Sequence, residues 1–126
     1  MDGFGQYFGT GILEKSLDVA ALRQRVIANN IANLNTEGYH AQEVEFDSKL
    51  KSLCQDAAQN DPGSGGFPSD DALKHLHPDI VTTNGRVDIN KEAVNLAKNQ
   101  ILYNALANKM SSYLSQLKYV VDNSGR

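Results

Sequence analysis

With 126 residues, 40% of them hydrophobic, the chain holds material for one modest core and not for two domains. Its 15 acidic and 12 basic residues leave a net charge of -3, which argues against nucleic-acid binding, since that needs a clustered basic surface. One cysteine, Cys54, rules out an internal disulfide, and no run of about 18 apolar residues is present to span a membrane.

The charges are segregated. Residues 37–71 carry Glu37, Glu43, Glu45, Asp47, Asp56, Asp61, Asp70 and Asp71 against Lys49 and Lys51. Residues 91–126 carry Lys91, Lys98, Lys109, Lys118 and Arg126 against Glu92 and Asp122. Solvated faces account for such a pattern, and head-to-tail matching between copies is the second reading.

The first ten residues are glycine-rich and aromatic (Phe4, Tyr7, Phe8), which predicts a flexible start. They show neither the basic nor the apolar region of a Sec signal, so export, if it occurs, is expected without a cleaved signal. Residues 11–35 read as a helix capped by Thr10 or Gly11, with Glu14 suiting its positive end. Leu13, Leu17, Ala20, Gln24, Ile27, Ile31 and Leu34 form a heptad seam with a single polar position, Gln24. Ile12, Val19, Leu22 and Val26 form a second row beside it. A stripe this wide calls for more than one partner.

The end of this helix holds Asn29, Asn30, Asn33 and Asn35, although Asn is a mediocre helix former whose amide competes for backbone groups. Gly38 is where the chain can take a positive φ and turn away.

Residues 36–90 form a central segment. Val44 and Phe46 alternate with Glu43, Glu45 and Asp47, which predicts a short strand or extended arm over 40–47 with its carboxylates in water. A short amphipathic helix follows over 48–59, capped by Ser48 or Asp47, with Leu50, Leu53, Cys54, Ala57 and Ala58 on one face. Residues 60–71 read as a flexible loop from their Gly, Pro, Ser and Asp content. Residues 80–89 read as a hairpin turning at Asn84-Gly85, a pair that tolerates φ > 0 at both positions.

Residues 91–121 predict the longest helix, roughly 45 Å at the standard rise, with Asn90 as its cap and Glu92 in its first turn. Leu96, Asn99, Tyr103, Leu106, Met110, Tyr113, Leu117 and Val120 form a second heptad seam, interrupted once, by Asn99. A buried Asn in such a seam costs stability but fixes register. Ala93, Ala97, Ile101, Ala107, Leu114 and Val121 widen the apolar surface beyond that seam.

The expected fold is therefore mainly α. Two long terminal heptad helices form a coiled-coil-like pair, with a short central helix, a small β-hairpin and a flexible loop in one domain, 1–126. Pairing the two helices satisfies one seam on each. The extra rows then need either further copies or cover from the central segment.

Chemistry is thinly represented. His75 and His77 share a side only on a strand, and no third ligand stands at a standard spacing, so they read as loop residues. No P-loop, Gly-x-Ser-x-Gly or Cys/His arrangement is present. No catalytic, cofactor-binding or metal residues and no small-molecule substrate are expected. A small metal-dependent enzyme using His75 and His77 and a helical adaptor are the competing classes.

The stretch Asn30-Ile31-Ala32-Asn33-Leu34-Asn35-Thr36-Glu37-Gly38-Tyr39 resembles the N-terminal signature of bacterial flagellar axial proteins, in which a heptad helix ends in Asn-Ile-Ala-Asn-x-x-Thr-x-Gly-Tyr. Phe46 and Leu50 after it, the segment Asn84-Gly85-Arg86-Val87-Asp88-Ile89-Asn90-Lys91-Glu92, and the series Asn99, Tyr103, Leu106, Leu117 are similar to the proximal rod (FlgB) family. The resemblance spans residues 12–50 and 84–121, and the glycine-rich start departs from it.

It implies a torque-transmitting structural subunit of the basal-body rod, placed in the periplasm and assembled by packing of its terminal helices. The neighbours it implies are copies of itself, the rod proteins FlgC and FlgF, the adaptor FliE and the flagellar export gate. Another flagellar rod protein is the nearest alternative. The assembly positions it implies are Asn30, Ile31, Ala32, Asn33, Thr36, Gly38 and Tyr39. Gly38 would serve turn geometry and Tyr39 would pack on the helix end. Asn30 and Asn33 would either bond laterally to neighbours or cap the helix.

Overall fold

A computed structural model describes residues 10–124. The expectation for the glycine-rich start, up to residue 9, lies outside the described residues. The elements in chain order are α1 (Thr10–Ala32), β1 (Gln42–Glu45), α2 (Asp47–Asn60), a 3-10 turn (Pro62–Ser64), α3 (Asp70–Lys74), β2 (Asp79–Thr82) and α4 (Ile89–Ser124). The mainly α architecture with two long terminal helices and a small antiparallel ribbon is the one expected.

α1 and α4 lie antiparallel. Ala20, Ala21 and Gln24 border one groove with Asn99, Tyr103 and Asn104, while Val26 and Ile27 border another with Glu92 and Asn95. The single polar positions of the two seams meet. Asn99 Nδ2 donates to the carbonyl of Ala20 at 2.8 Å and reaches Gln24 Oε1 at 3.4 Å. An amide that donates across to the neighbouring backbone can do so at one axial setting only, so it sets the register of the pair.

The second row of α1 faces the other way. Val19 packs with Phe46, Leu73 and Leu76 in the buried core, flanked by Ile12, Val44, Leu50 and Leu53. The central segment thus covers this side of α1. The core lies between α1, the β1–α2 junction and α3, away from α4.

Several local expectations differ. Thr10 and Gly11 are already helical. α1 stops at Ala32, so Leu34 leaves the seam and sits exposed in a turn. α2 has Phe46 at its cap position with no side-chain cap, because Phe46 is drawn into the core and the Ser48 hydroxyl turns back to Glu45 Oε1 at 3.1 Å. The loop over 60–71 contains the 3-10 turn and the start of α3, where Ser69 accepts a hydrogen bond from Ala72 N at 3.2 Å. Asp88, not Asn90, caps α4. Its carboxylate accepts from Asn90 N at 3.0 Å and Lys91 N at 3.4 Å, and α4 gains Ile89 and Asn90 at its start and three residues after Val121.

The antiparallel ribbon is made by different strands. β2 pairs with β1, with Gln42 opposite Thr82 and Glu45 opposite Asp79, and not with residues 86–89. The Asn84-Gly85 bend closes around Ala41 instead. Gly85 O accepts from Ala41 N at 3.0 Å, and Ala41 O accepts from Thr83 N at 2.9 Å. Asp88 caps α4 and residues 86–88 form no strand, so no second strand is available there. Lys49 forms an ion pair with Asp79 and holds the far end of β2 to α2.

Candidate assembly interface

The asparagine cluster is an internal clasp. Asn30 is 1% exposed. Its Oδ1 accepts from the Tyr39 hydroxyl at 2.8 Å and from Gln42 N at 2.9 Å. Its Nδ2 donates to Gln42 O at 2.9 Å. One amide thus satisfies both main-chain groups of the first β1 residue, as a neighbouring strand would. Asn29 Nδ2 donates to the Tyr39 hydroxyl at 3.0 Å, so Tyr39 lies across the end of α1 as a bridge.

Asn33 closes the helix terminus. Its Nδ2 donates to Asn29 O at 2.8 Å, and its Oδ1 accepts from Thr36 Oγ1 at 3.1 Å. Gly38 has φ of +78°, the left-handed conformation that lets the chain reverse toward β1. Ile31 is half-buried and Ala32 exposed. Of the two roles open to the asparagines, Asn33 matches capping. Asn30 joins α1 to β1 within the chain.

The seam residues divide. Leu13 and Leu17 are half-buried and Ile27 is buried on α1. On α4, Leu96, Leu106, Met110, Tyr113 and Leu117 are half-buried, while Tyr103 and Val120 are exposed. Counted from the Asn99–Ala20 contact, α4 runs about 37 Å to Ser124 and α1 about 15 Å back to Thr10. Some 20 Å of α4 therefore extends past the level of Thr10. Lys109 covers one part of it, with Nζ 5.2 Å from the Tyr113 ring centre.

Most of the apolar surface of α4 beyond its seam remains open. Ile101 is 71% exposed, and Leu114 and Val121 about half exposed. Leu102 and Val94 add to this surface, as does Tyr119 at 70% exposure. Periodicity passes over Tyr119 because it belongs to neither row. Exposed large apolar groups in this number along one helix mark a surface that meets another molecule.

Metal-ligating side chains are not clustered among the described residues. No group of three or more His, Cys, Asp or Glu side chains there could hold a metal ion. His75 lies 3.9 Å from Asp71, and His77 contributes its carbonyl to Lys49 Nζ at 3.1 Å. No helix among the described residues is long and apolar enough to cross a membrane.

Comparison with known proteins agrees with this layout. A family model described as flagella basal body rod protein matches residues 17–40, from the middle of α1 through the asparagine clasp. The chain is 36% identical over 115 residues to the flagellar basal body rod protein FlgB of Bacillus subtilis, covering 86% of this chain and 89% of that one. It is 32% identical over 104 residues to FlgB of Yersinia enterocolitica, covering 71% and 76%. It is 27% identical over 124 residues to FlgB of Escherichia coli, covering 87% and 90%. The chain belongs to the FlgB family of flagellar basal body rod proteins and is a structural subunit of that rod.

Proposed function

We propose that this subunit is laid into the proximal, periplasmic section of the rod as one unit spanning residues 1–126, and that it joins its neighbours through the open face of α4. The observation that carries this reading is the apolar surface of α4 at Ile101, Leu114 and Val121, left in water on more than one side of the helix while the second row of α1 is covered within the chain. Contacts of this kind between unlike surfaces do not close on themselves and build an open helical tube, the form a drive shaft requires. Torque then passes between subunits through packed helices. The neighbours in this reading are further copies, FlgC, FlgF and the adaptor FliE, with delivery by the flagellar export gate and no cleaved signal.

Ile101→Asp tests the reading. The side chain is mostly in water, so the purified variant is expected to melt like the unmodified chain. Cells carrying it export the subunit but yield basal bodies without a rod and do not swim. Swimming cells with complete rods built from this variant would refute assembly through this face.

A further inference from the structure

The groove between α1, β1 and the start of α4 encloses about 410 Å³ and carries an unmatched charge. Glu92 lines it and is only 6% exposed. A buried carboxylate requires hydrogen-bond donors or a cation. The helix start offers Glu92 none. Asp88 already takes the main-chain N–H groups of Asn90 and Lys91 on its carboxylate and that of Glu92 on its carbonyl. The nearby cations that are paired are paired elsewhere: Arg23 with Asp47 at 3.0 Å and Lys91 with Glu43 at 3.7 Å. No described residue donates to the Glu92 side chain. The groove around it mixes apolar Val26, Ile27, Val44 and Leu102 with polar and charged side chains, Lys98 among them, and no ion pair joins Lys98 to Glu92.

We infer that this groove receives a lysine from α4 of a second copy of the chain, and that the lysine is Lys118. This rests on the assembly reading above and names the contact within it. The segment of α4 that extends past α1 carries Lys118, with Leu114 four residues before and Val121 three after, both about half exposed, and Asp122 four residues after it. Residues at those spacings share one helix face. A cation beside Leu114 and Val121 near the tip of one copy matches a buried acid beside Val26, Ile27 and Val44 in the groove of the next. Among the other lysines of α4, Lys91 is committed to Glu43, Lys98 lines the groove of its own copy, and Lys109 covers Tyr113. Lys118 makes no ion pair among the described residues. The joint is heterologous, groove to tip, and so continues from copy to copy.

The test uses the full chain in flagellated cells, with Asn95→Cys at the groove and Ser115→Cys beside Lys118 in a Cys54→Ala background. These positions are 20 residues apart on one helix, about 30 Å, so a short bismaleimide can join them only between copies. Purified basal bodies are expected to give a cross-linked dimer. Glu92→Lys is expected to lower dimer yield at least about tenfold, with Lys118→Glu restoring it in the combined variant. Glu92→Gln, which keeps the shape, is expected to lower yield while leaving the melting of the isolated chain intact. Absence of the dimer in assembled rods overturns the inference. So does normal assembly of Glu92→Gln, or loss of assembly with Lys98→Ala but not with Lys118→Ala, which makes Lys98 the internal counter-ion. If Ile101→Asp also assembles normally, the underlying assembly reading has failed. If only the groove variants do, this contact alone has failed.

Discussion

Removing the Asn30 amide is expected to separate β1 from α1 at a cost set by the groups left behind. In Asn30→Ala, Gln42 N and Gln42 O each lose a partner at 2.9 Å, and the Tyr39 hydroxyl loses its acceptor at 2.8 Å. An orphaned buried polar group costs about 1–3 kcal/mol. Gln42 is half-buried, so water recovers part of the loss for its two main-chain groups, and Tyr39 keeps its bond from Asn29. The expected destabilisation is therefore about 3 kcal/mol, or roughly 12 °C in melting temperature for a domain of this size. Tyr39→Phe removes one donor only and is expected to cost about 1 kcal/mol, less than additively with Asn30→Ala because the two share a bond. Urea unfolding gives the magnitudes, and hydrogen exchange gives the location: the Gln42 amide is expected to lose protection first. A loss below about 0.5 kcal/mol, with Gln42 exchange unchanged, would show that the clasp does not hold β1.

Other substitutions probe the same frame. Gly38→Ala is expected to cost about 1 kcal/mol, from the positive φ alone, since an added Cβ meets nothing within 4 Å; equal melting of the two proteins would contradict this. Phe46→Ala is expected to cost about 3–5 kcal/mol by opening the core among Val19, Leu73 and Leu76, measured by denaturant titration. Asn99→Leu is expected to leave stability within about 1 kcal/mol of the unmodified chain, since it removes a buried Oδ1 with no hydrogen-bond partner along with the bond to Ala20. Its effect falls on register instead: a spin-label distance between α1 and α4, single-valued in the unmodified chain, is expected to broaden.

The sequence carried the long-range pairing of the helices better than the local turns. Heptad spacing identifies both seams, and each has one polar interruption. Gln24 and Asn99 meet because a buried amide on one helix needs a polar partner on the other. The partner of β2 was not legible. Asn84-Gly85 satisfies the local rule for a hairpin, but a hairpin also needs a second strand, and Asp88 commits the following residues to a helix start. β2 instead takes the strand that Asn30 and the burial of Phe46 have already fixed. The Asp88 and Asn90 cap signals lie two residues apart, and composition cannot choose between them. Ser69-Asp70-Asp71 is a readable helix start inside a segment that Gly and Pro content assigns to a loop. The burial of Glu92 had no such signal. A first-turn acid looks the same whether it faces water or a groove.

The two terminal helices have similar seams but different positions in the subunit. α1 is enclosed on two sides, by α4 through Ala20 and Ile27 and by the central core through Val19, and is fastened at its end by Asn30. α4 touches its own chain along one side and exposes the other. An apolar-to-charged change therefore has different consequences on each. At Val19 it places a charge in the core and unfolds the subunit. At Ile101 or Leu114 the charge is expected to stay in water, so folding is spared and, in the assembly proposed above, the cost falls on association. This separation of folding from assembly follows from which rows are covered. A survey of charged substitutions along α4 that lowered melting temperature as much as those in the inner row of α1 would show that the open face is needed to hold the subunit together, and the division of roles between the helices would fall with it.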